Sequence, residues 1–138
     1  MMEAARQALD SKDAPYLIAV TLLTSSGEKE LQALGIQQTP LEFVQKMASM
    51  TAQAGLDGVV CSAHEASTLK QGFGKEFVCV TPGIRLLEDV KDDQQRVMTP
   101  IKAIQAGSDY LVIGRPVTQA GDPCKVLRTI NSDIAELH

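Results

Sequence analysis

Four short apolar runs punctuate the chain: Tyr16 to Leu23 (YLIAVTLL), Gly58 to Ser62 (GVVCS), Phe77 to Thr81 (FVCVT) and Tyr110 to Gly114 (YLVIG). Each is rich in β-branched residues, ends in polar or small ones, and fails to alternate cleanly between apolar and polar. Continuous runs of this length predict strands buried on both faces, in a parallel sheet covered by helices. Helical patterns fill the gaps. Thr39-Pro40-Leu41-Glu42 places a threonine at the N-cap, a proline at the first helical position and a glutamate three residues after the cap. The spacing predicts a helix running to Ala54, with Gly55 at C′, where a left-handed conformation is wanted. Asp122-Pro123 opens a last helix in the same way, and Leu127, Ile130, Ile134 and Leu137 recur every three or four residues along it. A shorter helix is predicted over Glu65 to Gln71. Met1 to Leu9 reads as the end of a helix whose beginning is absent.

The chain also echoes itself. Ala54-Gly55-Leu56-Asp57-Gly58-Val59-Val60-Cys61-Ser62 lines up with Ala106-Gly107-Ser108-Asp109-Tyr110-Leu111-Val112-Ile113-Gly114, and each follows a helix that begins Thr-Pro, at Thr39-Pro40 and Thr99-Pro100. A helix–glycine–strand device used twice indicates a βα-repeat architecture. A complete (β/α)₈ barrel takes about 250 residues. This chain has 138 residues, four predicted strands and no linker or low-complexity segment. It therefore reads as a single domain over residues 1–138, half of a barrel, with an open four-stranded parallel sheet as the competing architecture. Halving a closed barrel exposes two strand edges and an apolar interior, so such a half is expected to dimerise, aggregate or fold poorly alone.

Charge and cysteines narrow the class. Thirteen basic and seventeen acidic side chains give a net charge of −4, which removes the electrostatic reason to expect nucleic acid or an anionic membrane as partner. No apolar run approaches the roughly 20 residues needed to span a bilayer, and the opening residues lack a secretory pattern. The expected location is the cytoplasm. Three widely spaced thiols, Cys61, Cys79 and Cys124, fit small core residues in a reducing compartment rather than a disulfide framework. Cys61-Ser62-Ala63-His64 has a Cys-x-x-His spacing, but a zinc site needs three or four ligands. His138 is the one other histidine, so no metal is expected.

In a βα barrel, function gathers at the carboxyl ends of the strands. Thr24-Ser25-Ser26 follows the first run, Pro82-Gly83-Ile84-Arg85 the third, and Gly114-Arg115-Pro116 the fourth. Two arginines and a glycine are thus expected on one rim. Arginine presents a planar fork of donors to phosphate oxygens, and glycine lets backbone N–H groups approach closely. Either arginine alone is most simply an ordinary surface charge; the matching positions of both favour an anion site. The mostly polar connection from Arg85 to Met98 is long enough to be a lid over a phosphate, bringing Gln94 or Arg96 inward, or equally a solvated surface loop. No Ser/His/Asp or Cys/His set, P-loop or Gly-x-Gly-x-x-Gly can be assembled. The residues suggest a substrate grip without a reactive centre.

Taken together these stretches resemble the C-terminal half of bacterial orotidine 5′-phosphate decarboxylases. The likeness runs through 17–25 (LIAVTLLTS), 55–62 (GLDGVVCS), 80–85 (VTPGIR), 93–100 (DQQRVMTP) and 112–118 (VIGRPVT), in order and along essentially the whole chain. The resemblance implies a cofactor-free (β/α)₈ barrel acting as a homodimer on orotidine 5′-monophosphate to give UMP, with this chain supplying the end of the fourth helix and then strands five to eight. It implies that Thr24 contacts the pyrimidine, that Arg85, Gly114 and Arg115 bind the phosphate, and that Gln94 is the lid glutamine bridging base and phosphate. The family's Asp-x-Lys-x-x-Asp segment, which carries the catalytic lysine, is absent. On the resemblance it lies upstream of residue 1, so no catalytic residue is expected in this chain. A non-catalytic phosphate-binding half barrel and a related phosphosugar decarboxylase are the alternatives, the latter disfavoured by the pairing of Pro-Gly-Ile-Arg with Asp-Gln-Gln-Arg.

Overall fold

Parallel strands cannot be joined by tight turns, and helices connect each strand to the next here. A computed structural model describes residues 1–9, 11, 13–86 and 98–137. In chain order the elements are α1 (Met2–Ala8), β1 (Ile18–Val20), α2 (Glu28–Ala33), α3 (Pro40–Gln53), β2 (Gly58–Val60), α4 (Ala63–Phe73), β3 (Val78–Pro82), α5 (Pro100–Gln105), β4 (Tyr110–Val112), α6 (Arg115–Thr118) and α7 (Pro123–Ala135). The sheet order is β1-β2-β3-β4, with every pair parallel. A doubly wound open sheet reverses its order at a switch point. These strands instead follow one another in sequence, as in a barrel wall. The fold is half of a (β/α)₈ barrel.

The helix starts form where the capping residues dictate. Glu42 N–H donates to Thr39 Oγ1 at 3.3 Å, and Thr39 N–H donates back to Glu42 Oε2 at 2.8 Å. Thr99 and Asp122 accept the N–H groups of Lys102 and Lys125 in the same way. The helix predicted over Glu65 to Gln71 is longer at both ends, because Ser62 is its cap: Ser62 N–H donates to Glu65 Oε2 at 2.8 Å. Two short helices were not legible. α2 buries only Leu31 and so has no apolar stripe, and α6 is a four-residue turn after Gly114. β1, β2 and β4 are each three residues long, shorter than their apolar runs, whereas β3 is five residues long and shifted by one from Phe77–Thr81.

The core lies between the helices and one face of the sheet. Val44 and Ala48 of α3 and Ala66 and Leu69 of α4 pack on Val59, Cys61, Phe77 and Cys79. A second cluster joins Ala63, Ile84 and Ala103, with Met98, Leu111 and Ile113 against it. The other face corrects the expectation of strands buried on both sides. Val20, Tyr110 and Val112 are 57%, 52% and 51% exposed, although they belong to the same continuous runs. The runs are continuous because both faces are apolar, but the helices cover only one; in a closed barrel the other is the interior. Three strand spacings, about 14 Å in all, separate β1 from β4. Even so, the rings of Tyr16 and Tyr110 lie 6.5 Å apart, reaching toward each other from the two ends of the sheet.

The internal echo is a structural device. Asp57 N–H donates to Leu17 O at 2.9 Å while its Oδ2 accepts Leu17 N–H at 2.7 Å. Asp109 repeats both bonds with Cys79, again at 2.9 and 2.7 Å. Each carboxylate also meets a base, Arg6 at 3.2 Å and Lys70 at 2.7 Å. Gly55 and Gly107 turn the chain into these strands at φ +77° and +101°, a conformation that costs glycine little.

Two substitutions test this packing. Asp109→Ala leaves the Cys79 N–H and the mostly covered Lys70 ammonium without their carboxylate, and should cost about 1–3 kcal/mol, read as a lower urea midpoint at unchanged slope. Gly58→Ala would place a Cβ 2.0 Å from Val78 O, and should cost about 3 kcal/mol or more.

Candidate functional site

The carboxyl ends of the four strands share one rim, and buried neighbours set which side chains face it. Ile84, 1% exposed, anchors the turn after β3 in the second core cluster, leaving Arg85 half-buried at the edge. Arg85 N–H donates to Met98 O at 3.0 Å, tying that turn to the start of α5. Val117 plays the same part beyond β4: it is buried, and Arg115 at the first position of α6 is exposed. Gly114 O accepts the N–H groups of Val117 and Thr118 at 2.9 and 3.0 Å, and the space beside its Cα is open.

Arg85 and Arg115 line one cleft of about 1020 Å³ between α5, α6 and α7. Thr24 lies at the same rim, close to Gly83: a Cβ on that glycine would sit 3.8 Å from Thr24 Oγ1. Gly114 adjoins Arg115 at the N-cap of α6 but does not itself line the cleft. Gln94 and Arg96, and the middle of the loop that would carry them as a lid, lie outside the described residues.

The far wall of the cleft escaped the sequence reading. Lys125, Thr129 and Asp133 line it, with Asp122 at the cap of α7. Their spacing of four residues puts them on one helical face, a polar stripe that was legible beside the apolar one but had no partner to give it meaning. Three cations (Arg85, Arg115, Lys125) thus face two carboxylates in a chain of net charge −4. One of those carboxylates, Asp122, also caps a helix N–H at 2.9 Å. The cleft is suited to an anion with several oxygens.

The Cys-x-x-His spacing has a different outcome. Cys61 is buried in the core, where the neighbouring Cys79 thiol and burial both push its own thiol well above the usual range, so it stays protonated. His64 is exposed on the first turn of α4. Nearby, burial pushes the Glu65 carboxyl up, against the Ser62 N–H that pulls it down. Among the described residues no three His, Cys, Asp or Glu side chains group so as to hold a metal ion, and no helix is long and apolar enough to cross a membrane.

Comparison with known proteins identifies the family. A protein called orotidine 5′-phosphate decarboxylase from Tolumonas auensis is 59% identical over 138 residues, covering 98% of this chain and 60% of its own. One of the same name from Chromobacterium violaceum is 57% identical over 136 residues, with 98% and 55% covered. The chain thus spans 55–60% of the length of these two curated relatives. The crystal structure of orotidine 5′-phosphate decarboxylase from Lactobacillus acidophilus superposes with a TM-score of 0.79 at 33% identity, over 97% of this chain and 58% of that one. Residues 1–130 match the family model described as orotidine 5′-phosphate decarboxylase / HUMPS family. With the parallel half barrel and its two-arginine cleft in place, that match settles the kinship: the chain belongs to the orotidine 5′-phosphate decarboxylase / HUMPS family.

Proposed function

We propose that this chain is the C-terminal, substrate-gripping half of an orotidine 5′-phosphate decarboxylase, the carboxy-lyase that converts orotidine 5′-monophosphate to UMP and CO₂ in pyrimidine biosynthesis. The observation that carries the reading is the meeting of Arg85 and Arg115 in one cleft at the ends of adjacent strands. A phosphate dianion presents several equivalent oxygens, and two guanidinium forks can satisfy them; Gly114, next to Arg115, is assigned to the phosphate on the family resemblance. Thr24, near Gly83 at the same rim, is assigned to the pyrimidine on the strength of the family resemblance. Gln94 is assigned to the bridge between base and phosphate on the strength of the family resemblance.

The division of labour follows from the chemistry. Loss of CO₂ leaves an electron pair on C6 of the pyrimidine, and a proton must arrive there to give UMP. A nearby ammonium does both tasks: it stabilises the developing charge and then donates the proton. The lysine for this belongs to the Asp-x-Lys-x-x-Asp segment, which this sequence does not contain. The residues here act at a distance from the broken bond. Binding energy gathered at the phosphate orders the reacting end of the substrate, so it appears in the rate rather than only in affinity. The whole enzyme, on this reading, is a cytoplasmic homodimer that needs no cofactor.

Two measurements test it. Titration calorimetry of the chain with UMP should detect binding that Arg85→Ala and Arg115→Ala each weaken about ten- to a hundredfold, the usual worth of a charged hydrogen bond; affinity unmoved by both substitutions would remove the phosphate role. The chain alone, given orotidine 5′-monophosphate, should show no loss of substrate absorbance. Measurable turnover would mean that the proton donor lies within these 138 residues.

A further inference from the structure

Lys125 stands in the first turn of α7 and lines the same cleft as Arg85 and Arg115. Helix stability does not account for a cation there. The amino end of a helix carries the positive pole of its dipole, which favours acidic side chains in the first turn and basic ones in the last. α7 has no acidic residue within its first turn and no basic one in its last. Its cleft-lining charges run against the dipole, with Lys125 near the amino end and Asp133 near the carboxyl end.

A neighbouring carboxylate does not account for the lysine either. Among the described residues the ion pairs are Arg6–Asp57 and Lys70–Asp109, so Arg85, Arg115 and Lys125 line the cleft without a carboxylate partner. Asp122 Oδ1 accepts the backbone N–H of Lys125 at 2.9 Å; it holds the lysine's main chain, not its ammonium. Asp133 is eight residues further on, about 12 Å along the helix axis. Where a local rule is broken without compensation inside the fold, a functional residue is expected.

We propose that Lys125 is a third cation for the phosphate of the nucleotide, reaching it from α7 on the wall opposite the two arginines. The inference rests on the phosphate reading above and adds to it a contact from outside the strand ends. The two kinds of cation do different work. Each guanidinium is a rigid planar fork that fixes the direction of the oxygens it meets. An ammonium is a compact charge on a flexible four-carbon stem, able to meet an oxygen that the forks leave open. A phosphate beside Lys125 also offsets the repulsion between that ammonium and the positive end of the helix.

Titration calorimetry of the whole chain with UMP, and with inorganic phosphate as competitor, tests the assignment. Lys125 is exposed, so substitutions there leave the core intact. Lys125→Met keeps most of the stem and removes the charge. It should weaken UMP and inorganic phosphate alike by about three- to fivefold, the worth of an exposed ion pair, and the loss should shrink as salt is raised. Lys125→Arg should restore the affinity. Arg128→Met removes an equal charge from an exposed position of the same helix that does not line the cleft, and should leave both ligands unaffected. UMP affinity unmoved in Lys125→Met, while Arg85→Ala and Arg115→Ala weaken it, overturns this inference alone. Equal losses in Lys125→Met and Arg128→Met overturn it by reducing the effect to the field of the whole chain. A loss for UMP with none for inorganic phosphate overturns it by placing the contact elsewhere on the nucleotide. UMP binding that is indifferent to both arginines, or absent, removes the phosphate reading and this inference with it.

Discussion

The row Val20–Val60–Val80–Tyr110 crosses four strands that all point the same way. Parallel pairing of this kind obliges the chain to return to the start of the sheet after every strand, and the returning helices pack on one side. The helix-facing residues of the row's neighbours, Val59, Cys61 and Cys79, vanish into the core. The row itself faces the side that no described helix covers. From this one constraint come both the gathering of all strand ends on a single rim and the open apolar surface opposite the helices.

The two ends of the strands have separate duties. At the amino ends, Asp57 and Asp109 each take a backbone N–H of the preceding strand segment and a basic side chain, and the carboxylates hold the register. At the carboxyl ends, buried Ile84 and Val117 hold turns whose next polar residues reach outward. Barrels of this architecture generally keep stability at one face and chemistry at the other. Here the repeated segment shows the first duty, and the unrepeated Pro-Gly-Ile-Arg and Gly-Arg-Pro segments show the second.

The cleft also shows how an acidic chain can present a locally basic surface. Net charge governs the far field, which salt screens within about 10 Å. What matters at contact is the local set: Arg85, Arg115 and Lys125 against Asp122 and Asp133. Of these, α7 contributes both carboxylates and one cation, so the last helix tunes a site whose two arginines come from the strand ends.

Local rules were enough for much of this protein. The capping pairs at Thr39, Thr99 and Asp122, the glycines at helix ends, the four apolar runs and the Ala-Gly-x-Asp echo each act over a few residues, and all are found where the sequence places them. Arg85 and Arg115 were also legible as a pair, because position after a parallel strand predicts a shared rim. Only the tertiary structure decided that one face of the sheet is left uncovered, since continuous apolar runs look the same whether helices or other strands lie over them. It likewise decided that Lys125, Thr129 and Asp133 complete the cleft, because a polar stripe becomes a wall only when another element is packed opposite. Spacing is a property of the chain, whereas burial and opposition are properties of its neighbours.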